Sequence, residues 1–90
     1  MKKKMKTQLV KVLKKEYQLN PTVDKTDGYI LVDVSKNNVG VYAAIDDVKV
    51  EILKTPDFVE DYKLIATYSI NTDVKLIAKL IAKMMYSLLG

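Results

Sequence analysis

The sequence predicts an α+β fold, and three observations carry that prediction. The last twenty residues, Asn71 to Gly90, form one amphipathic helical pattern with an unusually broad apolar arc. A central run alternates apolar and polar residues at the period of a strand. The opening segment repeats its apolar residues at helical spacing between lysines. The expected order is a helix, an antiparallel four-stranded sheet built as a meander, a short helical turn before the last strand, and a long C-terminal helix packed on the sheet.

Ninety residues suffice for a single domain spanning 1–90, and an apolar fraction of 49% with 29% charge suits a globular chain. Residues 1–4 are expected to be a frayed basic tail, because Lys2, Lys3 and Lys4 oppose the positive end of a helix dipole. From Met5 to Gln18 the residues Met5, Leu9, Val12 and Leu13 fall on one face, which predicts the first helix. Leu19-Asn20-Pro21 should end it, with Asn20 tolerating the left-handed cap and Pro21 blocking continuation.

Thr22 to Gly28 reads as a polar connector. Tyr29 to Ser35 then alternates, with Ile30, Val32 and Val34 on one side and Tyr29, Leu31 and Asp33 on the other. Turn chemistry at Lys36-Asn37-Asn38 leads to a second strand, Val39 to Ile45, and Asp46-Asp47 leads to a third, Val48 to Lys54. Thr55-Pro56 has the form of a helix start, with Phe58 and Val59 placed to plug the sheet edge before Asp61. Tyr62 to Ile70 is the fourth strand, with Leu64, Ala66, Tyr68 and Ile70 expected on one face.

In the closing helix, Asn71, Thr72 and Asp73 supply capping chemistry, and Lys75, Lys79 and Lys83 form a single polar stripe. The apolar arc around that stripe is wider than one sheet face needs. The second sheet face also carries Tyr29, Leu31, Tyr42, Ala44, Leu53 and Ile65. The two together leave surplus apolar surface, which either a partner or packing of the two helices on each other would absorb.

Composition narrows the chemistry. The chain has no cysteine and no histidine, which removes thiolate chemistry, the usual general base and the commonest metal ligand. Asp46-Asp47 and the group Asp57, Glu60 and Asp61 read as turn and helix-start residues rather than cation ligands. Asp24 to Gly28 lacks the oxygen ligands of a calcium loop at Val23 and Lys25, and Gly28, Gly40 and Gly90 are too isolated to form a phosphate loop. No catalytic residue, metal, cofactor or small-molecule substrate is therefore expected, and the chain is read as no enzyme.

All fifteen basic residues are lysine, and the formal charge is +4. The charge is uneven, since Met1 to Lys15 holds seven lysines and no acid, whereas Glu16 to Asn71 holds five lysines against ten acids. The richness in lysine, isoleucine, asparagine and tyrosine is what AT-rich coding produces, which fits a phage or other mobile element. No apolar run is long enough to cross a membrane, lysines interrupt any secretory signal, and a cytoplasmic location is expected. A lysine-flanked apolar helix could lie on a membrane surface, but the strands need that face as core.

The helix–strands–helix order resembles that of the double-stranded-RNA-binding domain, and Lys75-x-x-Ala78-Lys79 is similar to the basic start of that domain's last helix. The fourth strand and the missing Gly-Pro/His loop depart from the pattern, so the similarity is one of element order only.

Two functional expectations follow. The first is a non-catalytic interaction protein, a small regulator or inhibitor that docks on a protein partner or on itself as a homo-oligomer. Its surface would come from Tyr29, Leu31, Tyr42, Ile81, Met85 and Leu89. The alternative is sequence-independent nucleic-acid binding through the lysine-rich N-terminal helix. Its contacts to phosphates, or to an acidic partner, would come from Lys4, Lys11, Lys14, Lys15, Lys75, Lys79 and Lys83. The absence of arginine removes the usual bidentate reader of guanine.

Overall fold

The chain runs α1 (Lys2–Tyr17), β1 (Thr22–Thr26), β2 (Tyr29–Asp33), β3 (Gly40–Ile45), β4 (Lys49–Thr55), β5 (Lys63–Ser69) and α2 (Val74–Leu89). This computed structural model describes residues 1–36, 40–55 and 62–89, the side chains of 88 and 89 excepted. The α+β class holds, with one correction: the sheet has five strands, not four, in the order β1-β2-β3-β4-β5 and antiparallel throughout.

The extra strand is the segment expected to be a polar connector. Thr26 pairs with Tyr29, so Asp27 and Gly28 are the two-residue loop of a hairpin, and Gly28 has φ 88°. That left-handed backbone is the conformation such a tight turn requires and glycine readily supplies. β1 is exposed along its whole length, so backbone pairing with β2 holds it rather than side-chain burial. Its charges at Asp24 and Lys25 also guard an open sheet edge against pairing with another chain.

α1 begins at Lys2, within the segment read from the sequence as a basic tail. The Met5 N–H donates to the Met1 carbonyl at 3.1 Å, and the Lys2 N–H donates to Asp47 Oδ1 at 3.3 Å. Asp47, from the turn between β3 and β4, places an anion at the helix start and offsets the repulsion of the lysines. At the other end Gln18, not Asn20, takes the left-handed conformation (φ 52°, ψ 36°). The Leu19 N–H then reaches back to the Leu13 carbonyl at 3.1 Å, and the Leu19 side chain is buried.

Met5, Leu9 and Leu13, four residues apart, bury one face of α1. α2 begins where Asp73 Oδ1 accepts the Lys75 N–H at 3.0 Å, an ordinary N-cap. α1 lies over β2 and β3, α2 over β3, and the helices pack against each other. They run the same way. The start of α1 lies beside Ile70 to Thr72, and near its end the Tyr86 hydroxyl donates to the Tyr17 carbonyl.

This side-by-side arrangement absorbs the broad arc of α2. Ile77, Ala78, Ile81, Ala82 and Met85 are buried, while Val74, Leu80 and Met84 pack against the same core. The sheet contributes Val32, Val41, Ala43, Ile45, Val50 and Ile52 from its inner face. A core of this kind needs two layers, and the molecule is 19 Å through its thinnest dimension.

β5 carries one further correction. Ile52 faces Ala66, but Leu53 faces Leu64, so a bulge inserts Ile65 between them. One extra residue reverses the side-chain alternation. Leu64 therefore leaves the inner face and joins Leu53 on the outer one, where it is 51% exposed. The expected helical turn at 55–61 begins on Thr55, which ends β4, and the remainder lies outside the described residues, as does most of the turn at 36–38.

Candidate functional site

Among the described residues, α1 and α2 both lie on the inner face of the sheet. By register the outer face presents Tyr29 and Leu31 on β2, Tyr42 and Ala44 on β3, Glu51 and Leu53 on β4, and Leu64 on β5. Strand alternation places them there: each inner-facing aliphatic residue is flanked by outward neighbours. Ordinarily a solvent-facing antiparallel face is polar. Here aromatic and aliphatic groups run across four adjacent strands.

Local contacts hold this surface in shape. The Tyr42 and Tyr62 rings meet edge to face, with centroids 5.4 Å apart and planes at 73°. The Ser35 hydroxyl donates to the Asp33 carboxylate, which also accepts the Ser35 N–H at 2.8 Å, and it lies 3.2 Å from the Tyr42 hydroxyl. Beside Tyr42 the surface dips into a depression of about 370 Å³ whose floor is Leu31, Ala44 and Leu53, with Tyr29 and Tyr62 as walls. Asp46 and Glu51 complete its rim.

The rim is acidic. Asp46 Oδ1 accepts the N–H groups of Val48 and Lys49, each at 2.7 Å. Those bonds, that of Lys49 foremost, hold its carboxyl below the usual carboxylate range, with the charges of Lys49 and Lys2 acting in the same direction. Asp46 thus stays ionised at neutral pH. Glu51 pairs loosely with Lys49 at 3.7 Å, both side chains substantially exposed.

The residues singled out in the sequence separate into three groups. Tyr29 (40% exposed), Leu31 and Tyr42 lie together on the outer sheet face. Ile81 and Met85 do not: both are fully enclosed in the chain's own core, because α1 and the sheet take up the arc that was read as surplus. They are corrected from surface to core. Leu89 lies at the end of α2, and its side chain is outside the described residues.

Lys4, Lys11, Lys14, Lys15, Lys75, Lys79 and Lys83 are exposed and occupy the solvent side of the helical layer, opposite the sheet's outer face. Among the described residues none of them is in an ion pair. Tyr62, Leu53, Leu64 and Glu51 belong to the outer surface but were not among the expected site residues. Alternation places Leu53 and Glu51 on that face, whereas Leu64 needed the bulge and Tyr62 the contact with Tyr42.

Among the described residues no group of three or more acidic side chains gathers as a metal site, and no helix is long and apolar enough to cross a membrane. The class defined by the fold is a two-layer α+β domain, with paired helices on one face of an antiparallel meander. No protein-family model, curated protein or solved structure matches the chain.

Proposed function

We propose that the chain is a small non-catalytic interaction protein, a regulator or inhibitor that docks on a protein partner through the outer face of its sheet. The supporting observation is the composition of that face. Tyr29, Leu31, Tyr42, Leu53, Tyr62 and Leu64 form one surface that no described element of the chain covers. Clustered aromatic and aliphatic side chains within a polar border are the anatomy of an interface centre. The lack of cysteine and histidine agrees with a role in binding rather than catalysis.

A photo-crosslinking residue placed at Leu31, and separately at Lys11 on the opposite side, tests the reading in the cell of origin. The Leu31 probe should give a discrete protein adduct that an excess of unlabelled wild-type chain suppresses and a Leu31→Lys chain does not. An adduct from the Lys11 probe alone would overturn it.

One observation favours a second reading, sequence-independent nucleic-acid binding. Lys4, Lys11 and Lys15 fall on one outward row of α1, with Lys14 beside it. A duplex laid along that row would be held through phosphates, with an affinity falling by about one counterion per phosphate neutralised as salt rises. A gel shift at low salt with duplex DNA, duplex RNA and single strands tests it, and Lys11→Glu with Lys14→Glu and Lys15→Glu should abolish any shift.

A further inference from the structure

We infer that the outer sheet face takes a cationic, apolar segment of a protein partner: an aliphatic or aromatic side chain seated on Leu31, Ala44 and Leu53, flanked by lysine or arginine held at the acidic rim. The inference rests on the docking reading above and adds the chemistry of the occupant.

Charge complementarity carries it. Although the chain is positive overall, the outer face is not. Asp46 and Glu51 border the depression, Asp24 pairs with Leu31 on the same face, and Asp33 lies across from Tyr42. Lys49, also on this face, and Glu51 offset each other, which leaves the charge of Asp24, Asp33 and Asp46 in excess. Of the helix lysines, Lys4, Lys11, Lys14, Lys15, Lys75, Lys79 and Lys83 are on the far side of the molecule, and Lys2 stands near Asp46, where it offsets part of that charge. A cation approaching the sheet therefore meets carboxylates that surround an apolar floor, the pattern that steers and orients an oppositely charged partner.

The same map argues against other occupants. A nucleic acid would bring phosphates against Asp24, Asp46 and Glu51. A second copy docked face to face would bring a surface with the same excess of carboxylates against this one, a like-charge pairing. Asp46 stays ionised through its backbone hydrogen bonds, so this repulsion persists at neutral pH. At about 370 Å³ the depression lies at the small end of ligand clefts, and its floor is apolar, which suits an anchoring side chain better than a polar metabolite.

The test uses the whole chain, labelled with ¹⁵N, and two short synthetic peptides, one of alternating lysine and leucine and one of alternating glutamate and leucine. The lysine peptide should shift the amides of Leu31, Ala44 and Leu53, and the glutamate peptide should not. High salt should weaken the binding, and so should the pair Asp24→Lys with Glu51→Lys, by about tenfold. Both changes are at exposed or half-exposed groups, and the amide spectrum reports whether the fold is kept.

Equal shifts from both peptides, abolished by Leu31→Lys, would overturn the cationic partner while leaving the docking face in place. Shifts confined to other surfaces, or none, would overturn the inference, and the Leu31 crosslink then decides the docking reading separately. Shifts that depend on protein concentration without peptide would assign the face to a second copy and also overturn it.

Discussion

The Asp47 carboxylate accepts the backbone N–H of Lys2 at 3.3 Å, joining the turn between β3 and β4 to the first residue of α1 across 45 positions of sequence. A helix that opens on Lys2, Lys3 and Lys4 has no acid in its first turn, so the anion its dipole calls for comes from elsewhere in the fold. Replacing Asp47 with alanine should lower stability by about 0.5–1 kcal/mol, the range for an exposed cap. The loss should localise. Hydrogen exchange at Met5 and Lys6 should quicken, whereas the amides of β3 and β4 should keep their protection relative to global unfolding. Uniform acceleration would show that the contact does not anchor the helix.

Asp46, one residue earlier, links the same turn to pH. Its folded carboxyl titrates below the ordinary range because it accepts the N–H groups of Lys49 and Val48. A depressed folded pKa means that its stabilising contribution is fully present above the unfolded value and is lost as pH falls through the folded one. Asp46→Ala should therefore be less stable than wild type at neutral pH, and the gap should close in strong acid. Urea melts at both pH values measure this, and a constant gap would exclude the linkage.

How far the fold could be read from the sequence depends on where each residue buries its side chain. Met5, Leu9 and Leu13, and then Ile30, Val32, Val50 and Ile52, face one core, so their spacing revealed α1, β2 and β4. β1 buries nothing. The signal present was Asp27-Gly28, a dipeptide suited to a tight hairpin, set between Thr26 and Tyr29. Leu64 was misplaced because strict alternation has no means of announcing a bulge. The start of α1 depended on Asp47, which local dipole reasoning does not see. For the site, the outward positions Tyr29, Leu31 and Tyr42 were legible from period-two patterning. The fate of Ile81 and Met85 was not, because it depends on α1 lying alongside α2.

Gly40 has a role that turns on space. A Cβ at this position would lie 2.5 Å from the Tyr42 hydroxyl oxygen, 2.6 Å from Tyr42 Cε2 and 2.7 Å from Thr55 Oγ1. Tyr42 can swing, but only by giving up its edge-to-face contact with Tyr62, and Thr55 is buried. Gly40→Ala should cost about 1–3 kcal/mol, the usual range for overpacking. The aromatic proton shifts of Tyr42 and Tyr62 should move towards those of isolated rings. A stable variant with unchanged ring shifts would mean that the backbone adjusts instead and that Gly40 does not set the Tyr42 geometry.

Ile81 and Met85 separate core from docking surface most directly. Both are fully enclosed between α1, α2 and the sheet, so truncation leaves a cavity. Ile81→Ala and Met85→Ala should each destabilise by about 2–5 kcal/mol. Leu64→Ser, at a half-exposed outward position opposite Leu53, should cost less than about 1 kcal/mol. Binding should sort the other way. Leu64→Ser should weaken capture of a partner on the outer face, while Ile81→Ala, held below its melting temperature, should leave it unchanged. Denaturant melts paired with the lysine–leucine peptide titration read both quantities on the same samples. Lost binding in a folded Ile81→Ala chain would move the docking surface from the sheet to the helices.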